Sequence, residues 1–122
     1  MEAQTPSGGG GSWSTLAALP YTAHSVAAAS CNGKIYTFGG RNGISGAYKY
    51  VHEYNPVGAG SWSAAKTPMP TARYGASAVE FNGKIYVAGG FNSSDAALDV
   101  LEVYDADRAN IKLGYQKYLN SR

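Results

Sequence analysis

Residues 13 to 54 of this chain are nearly written out again at 62 to 104. The matching pairs are Trp13 and Trp62, Pro20 and Pro70, Asn32-Gly33-Lys34-Ile35-Tyr36 and Asn82-Gly83-Lys84-Ile85-Tyr86, Gly39-Gly40 and Gly89-Gly90, and Tyr54 and Tyr104. The offset is 49 for the tryptophans (62 − 13) and 50 for the others (82 − 32). A unit of this length holds one small supersecondary motif that cannot bury its apolar faces alone, and stacked repeats generally need three or more copies. Two copies are present. Each copy must therefore find cover, and one neighbour is not enough for both.

Local patterns make each copy a run of strands. Ser25–Cys31 and Gly75–Phe81 are each followed by Asn-Gly. Asn-Gly between apolar runs marks a two-residue hairpin, because both central residues of a type I′ turn need positive φ. Two hairpins follow: Ser25–Cys31 with Lys34–Phe38, and Gly75–Phe81 with Lys84–Ala88. The returning strands, Ile35-Tyr36-Thr37-Phe38 and Ile85-Tyr86-Val87-Ala88, are apolar on both sides, as in sheets stacked face to face. The leading strands are rich in Ala, Ser and Gly, which suits the crowded centre of a propeller. Alternation gives a third strand at Tyr50–Tyr54 and at Val100–Tyr104. Ser61–Ala65 reads as an outer fourth strand, and Ser12–Leu16 as the same strand of another blade. Pro20, Pro68 and Pro70 mark the crossing to the next inner strand.

Composition agrees with an all-β unit. The chain has 122 residues, 44% of them hydrophobic, with Gly 16 and Tyr 10 favouring strands and tight turns. Ten Lys and Arg against eight Asp and Glu leave a formal charge of +2. The basic residues are dispersed, so no stripe exists for tracking phosphates and no nucleic-acid partner is expected. The single cysteine, Cys31, cannot staple the monomer. Neither a secretory signal nor an apolar run long enough to cross a bilayer is visible, so no membrane partner is expected. A cytoplasmic location is the default, and a mature secreted chain without disulfides would read the same way.

Together these residues resemble the kelch family of β-propellers. The likeness rests on Asn-Gly-Lys-Ile-Tyr, the double glycine closing that strand, Tyr54 and Tyr104 about 15 residues on, Trp62 beyond, and Met69-Pro70-Thr71-Ala72-Arg73 before the next inner strand. It covers residues 12–107: blade 1 at about 22–66, blade 2 at about 72–107, and 12–16 as an extra outer strand. Residues 1–11 read as a flexible Gly-rich leader, and 108–122 as a tail with a ragged helical face at best. One departure matters, since position 112, where blade 2 should carry its Trp, is Lys112. Either Ile111–Tyr115 is a degraded outer strand or that strand comes from elsewhere.

The expected fold is all-β, two four-stranded kelch blades that complete a ring by homo-oligomerisation. In closed kelch propellers the last blade is typically completed by a strand from the opposite terminus, and a two-blade arc cannot bring its own ends together. The Trp13 strand would instead complete blade 2 of a neighbouring copy, a head-to-tail contact that closes if the rotation suits. Three chains give six blades, the favoured number, with two or four chains giving four or eight.

No catalytic constellation is visible. His24 and His52 are 28 apart and make no metal-ligand pair. By resemblance His24 hydrogen-bonds between blades, while alternation places His52 on a solvent-facing position. Cys31 reads as a small buried thiol. The Cys, Tyr and His set of a copper radical site is not evident, and Glu53, Glu80, Asp95, Asp99, Glu102, Asp105 and Asp107 show no acid–base spacing. No cofactor or metal is expected. In kelch propellers that bind peptides, residues after the double glycine line one mouth of the channel. The resemblance therefore points to Arg41, Asn42, Phe91 and Asn92, joined by Ser25 and Gly75, as a ligand-binding surface. Arg41 can grip a carboxylate and Phe91 can stack on a peptide or a sugar. Arg73 ranks second, as a structural residue. The function expected is a non-enzymatic interaction or scaffold module whose first partner is itself, and whose mouth receives an acidic peptide or a sugar. The alternatives are a carbohydrate-active protein resembling sialic-acid mutarotases, with Arg41 and His24 as sugar contacts, and a fragment of a longer propeller.

Overall fold

In a computed structural model, which describes residues 10–43 and 46–106, every regular element is a β-strand. They are β1 (Ala27–Cys31), β2 (Lys34–Phe38), β3 (Arg41–Asn42), β4 (Gly46–Ala47), β5 (Val51–Asn55), β6 (Ser61–Trp62), β7 (Ser77–Phe81), β8 (Lys84–Ala88) and β9 (Leu101–Tyr104). The first sheet runs β1-β2-β5-β6 and the second β7-β8-β9, both antiparallel, with β3-β4 a small separate hairpin. The leader 1–9 and the tail 107–122 lie outside the described residues.

Both hairpins turn where Asn-Gly requires it. Asn32 and Gly33 have φ of 55° and 77°, Asn82 and Gly83 of 53° and 81°. Two of the expected strands, Lys34–Phe38 and Lys84–Ala88, are found residue for residue. The inner strands begin two residues later than expected, at Ala27 and Ser77, because Ser25 and Gly75 sit at φ 58° and 70°, outside the β region. The outer strand stops at Trp62 instead of Ala65, and Ser12–Leu16 pairs with no strand among the described residues. Among those residues blade 2 therefore shows three strands, one fewer than blade 1.

The sheets pack face to face. From the first come Ala27, Cys31, Tyr36, Phe38 and Val51; from the second come Ile85 and Val87, with Met69 between. Tyr104 sets its ring edge-on to Phe38, centroids 5.8 Å apart, and 5.7 Å from Tyr36. Cys31 is buried as expected, its thiol donating to the Gly83 carbonyl across the seam at 3.3 Å. The Tyr36 hydroxyl donates to Glu53 at 2.6 Å, and burial, then that carboxylate, hold Tyr36 above the ordinary phenol range.

The other face of the first sheet is covered by the chain's own residues 17–23. Here the expectation for His52 fails: it is buried, at 6% exposure, because Tyr21 lies over it at 5.0 Å and Tyr50 at 5.9 Å. Alternation along β5 could not show this, since the covering ring of Tyr21 arrives from the lead-in segment, well before β1 in the chain.

Two lead-in segments do the same work with different residues. Arg73, whose side chain is fully buried, donates to the carbonyls of Gly89 at 3.0 Å and Val100 at 3.2 Å and pairs with Glu102 at 2.8 Å. In the first repeat position 23 is alanine, and the Tyr21 hydroxyl reaches the corresponding Gly39 carbonyl at 2.6 Å. The expectation that Arg73 is structural holds in this contact set.

Candidate functional site at one mouth of the seam

After each double glycine the chain turns back over the inner end of its sheet. Gly39-Gly40 and Gly89-Gly90 all have positive φ, and the residues beyond them bridge to the lead-in of their own blade: Arg41 to His24, and Phe91 to Tyr74. The two loops then meet across the seam. The Ser93 hydroxyl accepts the Ala47 N–H at 2.9 Å, and the Gly75 N–H reaches the Ser25 carbonyl at 2.9 Å.

The side chains gather around Tyr74. Its ring stacks on Phe91 with centroids 5.5 Å apart and planes 26° from parallel, while the Arg41 guanidinium lies 5.0 Å over the same ring. Asp95 accepts from Arg41 Nη1 at 2.5 Å and also from the Tyr74 hydroxyl. The Tyr74 hydroxyl and Arg41 together hold the Asp95 carboxyl below its usual range, and the bond to Asp95 pushes Tyr74 up. His24 approaches Tyr74 edge-on at 6.4 Å, and its Nδ1 is 2.9 Å from the Ser25 hydroxyl.

Of the residues singled out by sequence, Arg41 and Phe91 share Tyr74 as a common surface, and Ser25 stands beside them through His24. Asn92 instead builds its own loop, its side-chain oxygen accepting the N–H groups of Ser94 at 2.9 Å and Ala96 at 3.1 Å. Asn42 lies on β3, paired with Gly46. Gly75 is part of the backbone link between the blades. Sequence reasoning missed Tyr74 and Asp95. The signal for Tyr74 was its alignment with His24 at the same repeat position, whereas nothing in the spacing tied Asp95 to an arginine of the other repeat. Among the described residues, no group of three or more His, Cys, Asp or Glu side chains is placed to hold a metal.

Two antiparallel sheets built on one repeated pattern, with paired glycines steering loops to a shared mouth, agree with the sequence comparison. The Kelch motif matches residues 23–69 and again 72–107. This chain belongs to the kelch family. Among solved structures, that of YjhT resembles the kelch blades with a TM-score of 0.61 and 32% identity over 68% of this chain. The kelch pair spans 25% of YjhT's length. A search of curated protein sequences finds no match.

Proposed function

We propose that this kelch chain is a non-enzymatic interaction module that associates with further copies of itself into a β-propeller, three chains making six blades, and presents the Arg41–Tyr74–Phe91 mouth to a ligand. The observation that carries the assembly is the outer face of the second sheet. Val79, Phe81, Leu101 and Val103 stand on it, with Phe81 62% and Leu101 66% exposed. Their counterparts in the first repeat include Cys31 at 4% and Val51 at 1%, buried because the second sheet covers them. A sheet face this apolar marks an association surface. Its best complement is the unit that already covers the same face once.

At the mouth, Asp95 engages Arg41 in the free protein, so an acidic ligand has to share or displace that carboxylate. The exposed aromatic surface of Phe91 is available for stacking on a peptide or sugar. A ring would repeat this mouth once per chain, which favours multivalent partners.

Light scattering after gel filtration tests the assembly, and a discrete multiple of 12.8 kDa is expected, three being favoured. A folded 12.8 kDa species that persists at every concentration would exclude self-association and favour cover supplied by further repeats of a longer chain. For the mouth, Arg41→Ala with Phe91→Ala should abolish binding of acidic peptides or sugars found by screening, with mass and circular dichroism unchanged. Turnover of sugar anomers would instead support the carbohydrate-active alternative.

A further inference from the structure

The first sheet shows what the outer edge of a blade holds. β6 adds to β5 with Trp62 opposite Tyr54, ring centroids 5.0 Å apart, and the indole Nε1–H donates to the Ala17 carbonyl at 3.0 Å. The indole thus sits between a tyrosine of the third strand and the lead-in segment. Both partners of that indole recur in the second repeat, Tyr54 as Tyr104 and Ala17 as Thr67, and the residues after Ala17 recur too, Leu19 as Met69 and Pro20 as Pro70. These four counterparts line a single cleft of about 450 Å³ at the outer edge of the seam.

The same offset places no tryptophan there, since position 112 is Lys112 and lies outside the described residues. The second indole of the chain, Trp13, has the same neighbours as Trp62, Gly-Ser before it and Ser after, and is 100% exposed. β9 is the edge strand of its sheet among the described residues, as β5 would be without β6. Trp13 cannot readily serve its own chain. Ala17 is held on the far side of the first sheet by Trp62, and the chain from Trp13 to Ala17 spans at most about 14 Å when extended, a length that would have to lead around β6.

We propose that this cleft is the seat of Trp13 from a second copy: residues 12–14 add to β9 as its fourth strand, Trp13 opposite Tyr104, with the indole on the Tyr104 ring and its N–H donating to the Thr67 carbonyl. This rests on the self-association proposed above and names the residue that secures it. The occupant is a second copy because the lead-in of this chain carries both the strand and the indole in the same Gly-Ser-Trp-Ser pattern as the filled seat, and because the intact seat in the first sheet gives the register.

The test uses the full chain with ¹⁵N-labelled tryptophan, which gives two indole N–H signals, assigned with Trp13→Phe. At concentrations where the chain is associated, both indoles should be protected from exchange with water. Dilution should expose Trp13 in step with the fall in mass and leave Trp62 protected. Trp13→Ala should weaken association by about two orders of magnitude or more, as expected for loss of a buried indole, with Trp13→Phe falling between. Association with a freely exchanging Trp13, or with mass unchanged in Trp13→Ala, would overturn the seat and leave the assembly standing; residues 111–115 would then be its occupant. A chain that never associates would overturn both, as would protection of Trp13 in a 12.8 kDa monomer.

Discussion

Replacing Arg73 should loosen the hold of the second lead-in segment on its own sheet more than any other single polar change there. Its side chain is 0% exposed and makes three contacts, to Gly89 O, Val100 O and Glu102. Breaking a buried, hydrogen-bonded ion pair from one side costs about 3–5 kcal/mol, because the remaining charge is left without its partner. Two features lower the figure here. Glu102 is 21% exposed, and it keeps the Thr71 hydroxyl at 2.7 Å; the Val100 carbonyl likewise keeps the Gly89 N–H at 2.8 Å. The loss for Arg73→Ala is therefore set at about 3 kcal/mol, the lower end, which corresponds to a fall in Tm of roughly 12 °C or more for a domain of this size. Arg73→Lys keeps the charge but cannot reach both carbonyls with a fork, and should lose about 1–2 kcal/mol. Urea denaturation followed by circular dichroism measures both, at one fixed protein concentration, because association also stabilises the fold. In a double-mutant cycle, Glu102→Gln should recover part of the Arg73→Ala loss by removing the orphaned charge. A loss under about 1 kcal/mol for Arg73→Ala, or equal losses for alanine and lysine, would refute the clamp.

Two further outcomes follow from the same geometry. A Cβ on Gly39 (φ 64°) would run into the Arg73 carbonyl and come within 2.9 Å of Met69 Cε, whereas on Gly89 (φ 68°) it would meet only the Leu98 carbonyl at 3.7 Å. Both alanine variants carry the left-handed backbone penalty of about 1–2 kcal/mol, so in dilute solution Gly39→Ala should be the less stable by urea titration, and the gap should narrow at concentrations where another lead-in covers Gly89. Burial depresses the pKa of His52, so between its folded value and the unfolded value of about 6.5 the unfolded chain binds the extra proton. Stability should therefore be full above about pH 6.5 and fall as the pH drops below it, and His52→Phe should flatten this part of the profile. An unchanged slope in the variant would place the titrating group elsewhere.

The parts of the fold visible in the sequence were those decided within a few residues. Asn-Gly demands positive φ at both positions, so both hairpins and their returning strands could be read directly. Paired glycines likewise announced where the loops turn. The burial of His52 and the contacts of Arg41 depended on Tyr21 and Asp95, each far away along the chain, and no local period carries that information. At the mouth, Arg41 and Phe91 were found through the family pattern, but the tyrosine that joins them and the aspartate that holds the arginine were not. Asn92 is placed at the mouth by the family resemblance alone, from its position after the double glycine, and the structure adds that its side-chain oxygen closes a local turn. Repetition itself was the most informative feature. From the indole seat filled in the first blade it specified a second seat in the other.

Backbone hydrogen exchange at the strand added to β9 tests the assembly most directly. In the first sheet the outward carbonyls of Val51 and Glu53 accept the N–H groups of Lys66 at 2.8 Å and Ser63 at 2.9 Å. The corresponding residues of β9 are Leu101 and Val103, whose backbone groups face away from β8. If a second copy adds its strand there, the N–H of its Ser14, the counterpart of Ser63, should donate to the Val103 carbonyl and be protected to nearly the degree of the Glu102 and Tyr104 amides, and should lose that protection on dilution or in Trp13→Ala. Rapid exchange at Ser14 beside slow exchange at Glu102 and Tyr104, at every concentration, would show an uncovered edge and contradict the ring.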